Sequence, residues 1–446
     1  MILLKIKKGF DLKIEGSPLP ELAELNKPAF VAFLPEIIPY IKPKLLVAQG
    51  DRVRIGSALF IDKRNPDIKF LSPGSGKIEK IIFGPRRVIK EIIIKLDSKE
   101  ESVEFDINKF SENKKFNRED IIQSMMNGGI WPFIRELPFR DIASPDFIPH
   151  ALIVSIGNKE PFQPDPRVYL KEENDLFEKG IFILKNLAKN LYIYSSKDFI
   201  NVDMKDNLVT HKFSGSYPAD DPGVLMHYIR KDPSENRPWY INGQDVLLVG
   251  SFFSTGRYPV KRTVALAGSL AKQRMHFNTR IGVPVNDLIE GRIADGNKAR
   301  LVAGGIFRGY DSSKESFLGL YETSVSIIPE GGKSELFGFL RAGYEKPSYS
   351  KTFLSYFNPF PLQTDCSMHG EERACVNCGA CAQVCPVDIL PQFAFKSIVA
   401  ADIEEALSHG LLDCVECGLC SYVCTSKIDL CGFLKNAKQA YYKDKA

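Results

Sequence analysis

At 446 residues the chain is too long for one ordinary core, and length alone sets a prior of two to four domains. Its 44% hydrophobic and 26% charged residues exclude a disordered chain. The net charge of +4, from 59 basic and 55 acidic residues, speaks against a nucleic-acid binder or an acid-seeking surface. The opening MILLKIKKGFDLKIEG alternates Lys with apolar residues and reads as a strand, with no h-region of a signal peptide. No stretch reaches the roughly 18 apolar residues of a spanning helix, so no transmembrane helix is expected.

Residues 1–100 read as a β-domain. LVAQGDRVRIGSALFIDK and FLSPGSGKIEKIIFGPRRVIKEIIIKLD set alternating strands between Gly-Asp, SPGSG and FGP turns. These turns resemble the barrel-sandwich hybrid of lipoyl and biotinyl domains, in which a hairpin-tip lysine is modified. Lys63 lies near that place, but its flanks DKRNP do not look like a modification site. The expectation is a scaffold with a solvated lysine.

NREDIIQSMMNGG predicts a helix capped by Asn117 or the residues just before it and ended by Gly128 and Gly129. IWPFIRELPF then puts aromatic rings and Arg135 into a Pro-interrupted loop, which either lines a flat-ring ligand pocket or simply packs. ALIVSIGN, NLYIYSS and DVLLVGS read as strands and NDLFEKGIFILKNLAK as a helix, giving an α/β unit with a mostly parallel sheet. No G-x-G-x-x-G follows any strand and no G-x-x-x-x-G-K-[ST] occurs, so the nucleotide fingerprints are missing. RTVALAG, RMHFNTRIG, VPVNDLIEG and RLVAGGIFRG give strand, strand, short helix and strand, a grasp-like module. Pro359 and Pro361 mark the approach to a last unit. The histidines at 150, 211, 227, 276, 369 and 409 are scattered and read as surface or satisfied core residues.

The cysteines gather at one end: Cys375-x2-Cys378-x2-Cys381-x3-Cys385-Pro386, then Cys414-x2-Cys417-x2-Cys420-x3-Cys424. This doubled run is the bacterial ferredoxin spacing for two [4Fe–4S] clusters, in which the fourth Cys ligates the other cluster. The expected ligands are Cys375, Cys378, Cys381 and Cys424 for cluster 1, and Cys414, Cys417, Cys420 and Cys385 for cluster 2. Zinc is the competing reading, but it has no need for a third Cys at the same spacing. Thr425 stands where the second run usually has Pro. Cys366 and Cys431 are left over and read as buried free thiols, with a substitute ligand as the alternative for either. Between the runs a helix is expected from about Ser397 to His409, stopped by Gly410. The basic tail GFLKNAKQAYYKDKA reads as a helix that is a solvated end, with docking on a partner as the alternative.

Taken together, IKKGFDLKIEGSP, FIDKRNPDIKFLSPGSGKIEKI, GIWPFIRELPF, INGQDVLLVGSFFSTGRY, VALAG, ELFGFLRAGY with SKTFLSYF, and MHGEERA resemble the A subunit of the Na+-translocating NADH:quinone reductase (the NqrA family) along nearly the whole chain. The resemblance implies a multidomain α/β plus β architecture. It comprises an N-terminal barrel-sandwich hybrid (1–100), a Rossmann-like α/β domain (101–255), a soluble-ligand-binding β-grasp domain (256–335) and a C-terminal helical domain with two ferredoxin-type motifs (336–446). It further implies a peripheral subunit on the cytoplasmic face of the membrane, in a complex with subunits B–F that carries electrons from NADH to ubiquinone and exports Na+. Flavins and NADH belong to the partner subunits. Trp131, Phe133, Arg135 and Phe139 are the quinone-contact candidates. The family's Arg-x-Arg-Pro-Phe loop is matched by Arg135, Pro138 and Phe139, while Leu137 replaces the second Arg. The paired cysteine runs are more typical of the C subunit of the related Rnf electron-transport complex. An Rnf-type subunit is therefore the alternative, though its Gly-rich nucleotide loop is missing here. A scaffold with structural clusters is a third reading.

Overall fold

The computed structural model describes residues 1–110, 116–199, 208–232, 235–294, 298–332, 340, 342–368 and 370–445. His369 and much of ELFGFLRAGY lie outside the described residues. Among the described residues the strands form four sheets.

Two of these sheets make the N-terminal β-domain. Strand Ile89–Leu96 buries Ile89, Ile92 and Ile94 while Lys95 points out, the alternation that a half-buried strand requires. Phe33, Phe60 and Phe70 form its aromatic centre, Phe60 and Phe70 stacking at 4.4 Å. Lys63 is exposed in the turn between strands Ala58–Asp62 and Asn65–Leu71.

The seven-stranded sheet carries the α/β unit. Strands Ala151–Ile156, Asn190–Ser196, His211–Ser214 and Trp239–Asn242 run parallel, with Ala151–Ile156 between Asn190–Ser196 and Trp239–Asn242. Helix Arg118–Asn127 starts where expected: the Asn117 side chain accepts from the Glu119 N–H, and Gly128 caps the end. DVLLVGS is not a strand. It lies inside helix Gly243–Thr255, which Gly256 closes at φ +67°; the strand of this region is Trp239–Asn242. A short apolar run has the same composition in a buried strand and a buried helix, so periodicity could not decide. The buried position follows from Gly180 and Gly250, where this helix crosses Asn174–Leu184. A Cβ at Gly250 would come within 1.9 Å of the Leu176 carbonyl oxygen.

The grasp-like unit has strands Lys261–Ala267, Met275–Arg280, Ala299–Ala303 and Ser324–Pro329, with the short helix Val285–Ile289. His276 is fully buried and satisfied, meeting the Leu19 carbonyl and accepting from the Asp165 N–H. The first residues tie these units together. Strand Ile2–Lys5 pairs in parallel with His211–Ser214, and Leu22–Glu24 pairs with Met275–Arg280.

The C-terminal unit is helical. The expected helix from Ser397 to His409 is two helices, Pro391–Val399 and Ile403–Ser408. Ala401 adopts φ +59° and the Asp402 side chain caps the second helix by accepting from the Glu405 N–H, so the chain bends where one continuous helix was expected. Gly410 does follow the pair, at φ +90°. The tail is helix Leu430–Lys445, and it is not solvated all round: Leu430, Leu434 and Lys438 are buried.

Candidate metal centre

The two cysteine runs fold into two loops of the same shape. In the first, Asn377 and Gly379 have φ of +57° and +74°; in the second, Glu416 and Gly418 have +55° and +77°. The fourth cysteines match as well, for Asp388 and Lys427, each three residues beyond, have φ of +54° and +58°. Alternating right- and left-handed residues turn successive N–H groups into one concavity, the nest that cradles anions and iron-sulfur groups. Nothing crowds Gly379, so conformation and not space selects glycine there.

Two cavities result. Cys375, Cys378, Cys381 and Cys424 line one, with Gly379, Thr425 and Gln392. Cys385, Cys414, Cys417 and Cys420 line the other, with Cys431 and Leu434. Each cavity therefore takes three thiols from one run and the fourth from the other. Among the described residues no three His, Cys, Asp or Glu side chains converge closely enough to hold a single metal ion.

The loops also supply hydrogen bonds aimed at sulfur. Cys378 is exposed, and the Ala380 N–H and the Thr425 hydroxyl hold its thiol below the ordinary range. Burial pushes Cys381 up to about 11 against N–H groups of Ala382 and Gln392. Burial likewise pushes Cys417 up to about 12, opposed by the Leu419 N–H. The Val387 and Ile389 N–H groups point at Cys385. Cys431, read as a buried free thiol, is free and half-buried; it touches Cys420 and, with burial, drives that thiol well up. Cys366 is remote from both cavities, its N–H donating to the Pro329 carbonyl.

The two loops differ in their surroundings. The first opens outward, with Val376, Asn377 and Cys378 exposed. The second is enclosed by residues that sequence reading missed. Lys438 donates to the carbonyl oxygens of Cys414 (2.9 Å) and Pro138 (3.0 Å) and to Glu416 (2.7 Å). Arg140 and Arg308 both donate to the Val415 carbonyl, at 3.0 and 3.2 Å, and both hold the buried Asp221. Tyr217 donates to the Cys417 carbonyl. The α/β unit (Arg140, Tyr217), the grasp-like unit (Arg308) and the C-terminal helix (Lys438) thus converge on one loop. The available signal was small: Lys438 continues the Leu430, Leu434 stripe at i, i+4 spacing.

The aromatic loop splits in two. Trp131 and Phe133 are in the core, Trp131 donating to the Ala143 carbonyl and meeting Trp239 edge-on. Arg135 and Phe139 are half-buried. Arg135 lies over the rings of Tyr240 and Tyr321, and Phe139 meets Tyr442 of the C-terminal helix at 4.8 Å.

Comparison with known families follows this layout. Residues 4–97 match the NqrA N-terminal barrel-sandwich hybrid domain, 116–258 the NqrA second alpha/beta domain, 263–314 the NQRA C-terminal domain, and 374–428 a 4Fe-4S dicluster domain. The A subunit of the Na(+)-translocating NADH-quinone reductase of Yersinia pestis bv. Antiqua (strain Angola) is 32% identical over 417 residues, 92% of each chain. The protein of the same name from Neisseria meningitidis serogroup B is 31% identical over 445 residues, 98% of this chain and 97% of that one. Among solved structures, an NAD+-reducing [NiFe]-hydrogenase in the H2-reduced state aligns at a TM-score of 0.38 and 12% identity, over 74% of this chain and 61% of that one.

Proposed function

Because the chain belongs to the family of A subunits of the Na+-translocating NADH-quinone reductases, and is thus part of an oxidoreductase complex, we propose that its C-terminal domain adds an electron relay of two [4Fe–4S] clusters. The observation that carries this reading is the division of eight cysteines into two four-thiol cavities, each completed by the other run. Cys375, Cys378, Cys381 and Cys424 would hold cluster 1, and Cys414, Cys417, Cys420 and Cys385 cluster 2. The residues fit: the thiols surround cavities, and the loop N–H groups face the sulfurs. The clusters supply one-electron transfer. The chain's own residues fix the ligands, shield cluster 2 and leave the cluster 1 loop open. Anaerobic purification should give a brown protein with about eight irons and eight acid-labile sulfides per chain. A colourless protein holding two zinc ions overturns the reading.

In the same reading the complex moves electrons from NADH to ubiquinone and exports Na+. This chain sits peripherally on the cytoplasmic face, with subunits B–F holding the NADH and flavin chemistry. No helix among the described residues is long and apolar enough to cross a membrane, which agrees with a peripheral place. The parallel strand order, with Ala151–Ile156 inside and the next two strands added outward, supports a Rossmann-like reading of the α/β unit. For quinone, Arg135 and Phe139 offer a half-buried cation and ring, while Trp131 and Phe133 lie in the core. A photoreactive ubiquinone analogue added to the whole complex should label the 131–139 loop; label confined to other segments overturns this part.

A further inference from the structure

The two cavities are electrostatically unequal: buried charges surround the second, and among them is the ion pair Lys438–Glu416. Lys438 is 1% exposed, yet it is charged and sits on a helix that otherwise buries leucines. An ammonium has three N–H donors, and here all three are taken: by the Pro138 carbonyl, the Cys414 carbonyl and Glu416. Glu416 lies within the loop itself, between Cys414 and Cys417. At the corresponding place in the first loop stands Asn377, neutral and exposed. Beside the first cavity Arg373, on the Thr425 carbonyl, is exposed; Lys8, half-buried on the Ala382 carbonyl and Asp388, lies between the two and acts on Cys385 of the second.

Burying an ion pair is no route to stability on its own, since desolvation offsets the attraction. The pair is placed where its charges act through little solvent, and interactions at low effective dielectric are several-fold stronger than in water. The surrounding charges are partly balanced: Arg140 and Arg308 against Asp221, and Glu160 against the N–H groups of Phe307 and Arg308. Lys438 and Glu416 are the pair joined to the ligand segment by side chain and backbone together.

We propose that the Lys438–Glu416 pair sets the reduction potential of the centre held by Cys385, Cys414, Cys417 and Cys420. This rests on the cluster reading above. One electron added to a four-thiolate cube is one further negative charge, and net charge beside the cluster is a principal determinant of its potential. A cation at the Cys414 carbonyl favours the reduced form, and a carboxylate in the same loop disfavours it. The two residues are positioning residues, acting on the centre without ligating it, and their effects oppose each other.

The test is an anaerobic redox titration of the full-length protein with dithionite, followed by EPR, for wild type, Lys438→Met and Glu416→Gln. Wild-type iron and sulfide counts come first: a chain without clusters overturns the cluster reading and this proposal with it, whereas in a chain with both clusters the titration tests this proposal alone. With two clusters present, Lys438→Met should make one centre at least tenfold harder to reduce at a given potential, a downward shift of about 59 mV for one electron. Glu416→Gln should shift the same centre upward, and the other centre should stay in place. Shifts of one sign in both variants, equal shifts of both centres, or none would overturn the proposal, because a mere structural clamp predicts these. If Lys438→Met loses iron, Glu416→Gln alone decides: an upward shift of one centre supports the proposal, and no shift or loss of iron overturns it.

Discussion

Tyr217 donates its hydroxyl to the carbonyl of Cys417 at 2.9 Å, and its ring stacks on Phe307 at 5.0 Å with the planes 7° apart. One side chain of the α/β unit thereby reaches the grasp-like unit and the second cysteine loop at once. Tyr217→Phe keeps the stack and leaves the buried Cys417 carbonyl without that donor, at a cost of about 1–3 kcal/mol. Denaturant unfolding followed by the visible absorbance of the cluster should show the loss; an unchanged midpoint would mean that the bond contributes nothing to holding the loop.

Cys381→Ser and Cys417→Ser should each halve the iron content, since each removes a ligand of a different centre, and each should destabilise the C-terminal domain because ligand binding and folding are coupled. Iron counts on both variants decide it. Full iron in both would defeat the ligand assignment.

Arg262 and Asp245 form a buried ion pair between the strand Lys261–Ala267 and the helix Gly243–Thr255, and Arg262 also donates to the Leu320 carbonyl at 2.9 Å. Removing one partner leaves a buried charge alone. Asp245→Asn is expected to destabilise the protein by about 3–5 kcal/mol. Thermal unfolding would measure this, and a loss well under that range would show that solvent reaches the site.

Glu100 joins the β-domain to Arg280 at 2.9 Å. Burial alone would raise its carboxyl, but the bonds from Arg280, the Ser75 N–H and Lys27 outweigh burial and hold it below the ordinary value of 4.5. The folded state therefore binds its proton less readily than the unfolded chain. Its stabilisation is fully present above pH 4.5 and disappears as pH falls through the lowered folded value. Glu100→Gln should flatten this part of the acid-unfolding profile; a profile parallel to wild type would count against it.

The grouping of the cysteines around two cavities was legible because their spacing is local: three thiols in one loop face one cavity whatever else the chain does. The helix at Asn117 was legible for the same reason, its cap lying within a few residues of it. DVLLVGS was misread because its environment, a helix crossing at Gly180 and Gly250, is written elsewhere in the chain. The donors around Val415 were invisible for a stronger reason. Arg140, Tyr217 and Arg308 are each more than a hundred residues from the loop that they touch, and nothing local marks an arginine for a distant carbonyl. The tail was misread because its lysines outnumber its leucines, while the residues it buries are Leu434 and one lysine, Lys438.

The pairing of Ile2–Lys5 with His211–Ser214, and of Leu22–Glu24 with Met275–Arg280, constrains how the chain can be made. Domains usually fold as units, the N-terminal one first as synthesis proceeds. Here the earliest strands must wait, unpaired, until partners more than two hundred residues later have been synthesised. Neither segment can pair before its distant partner strand exists, so closing these two sheet edges requires contacts of very long sequence separation, the slow kind. Until then the apolar strand residues Ile2, Leu3 and Leu4 have no sheet to join, and an unpaired apolar strand is the kind of segment that pairs wrongly with other chains.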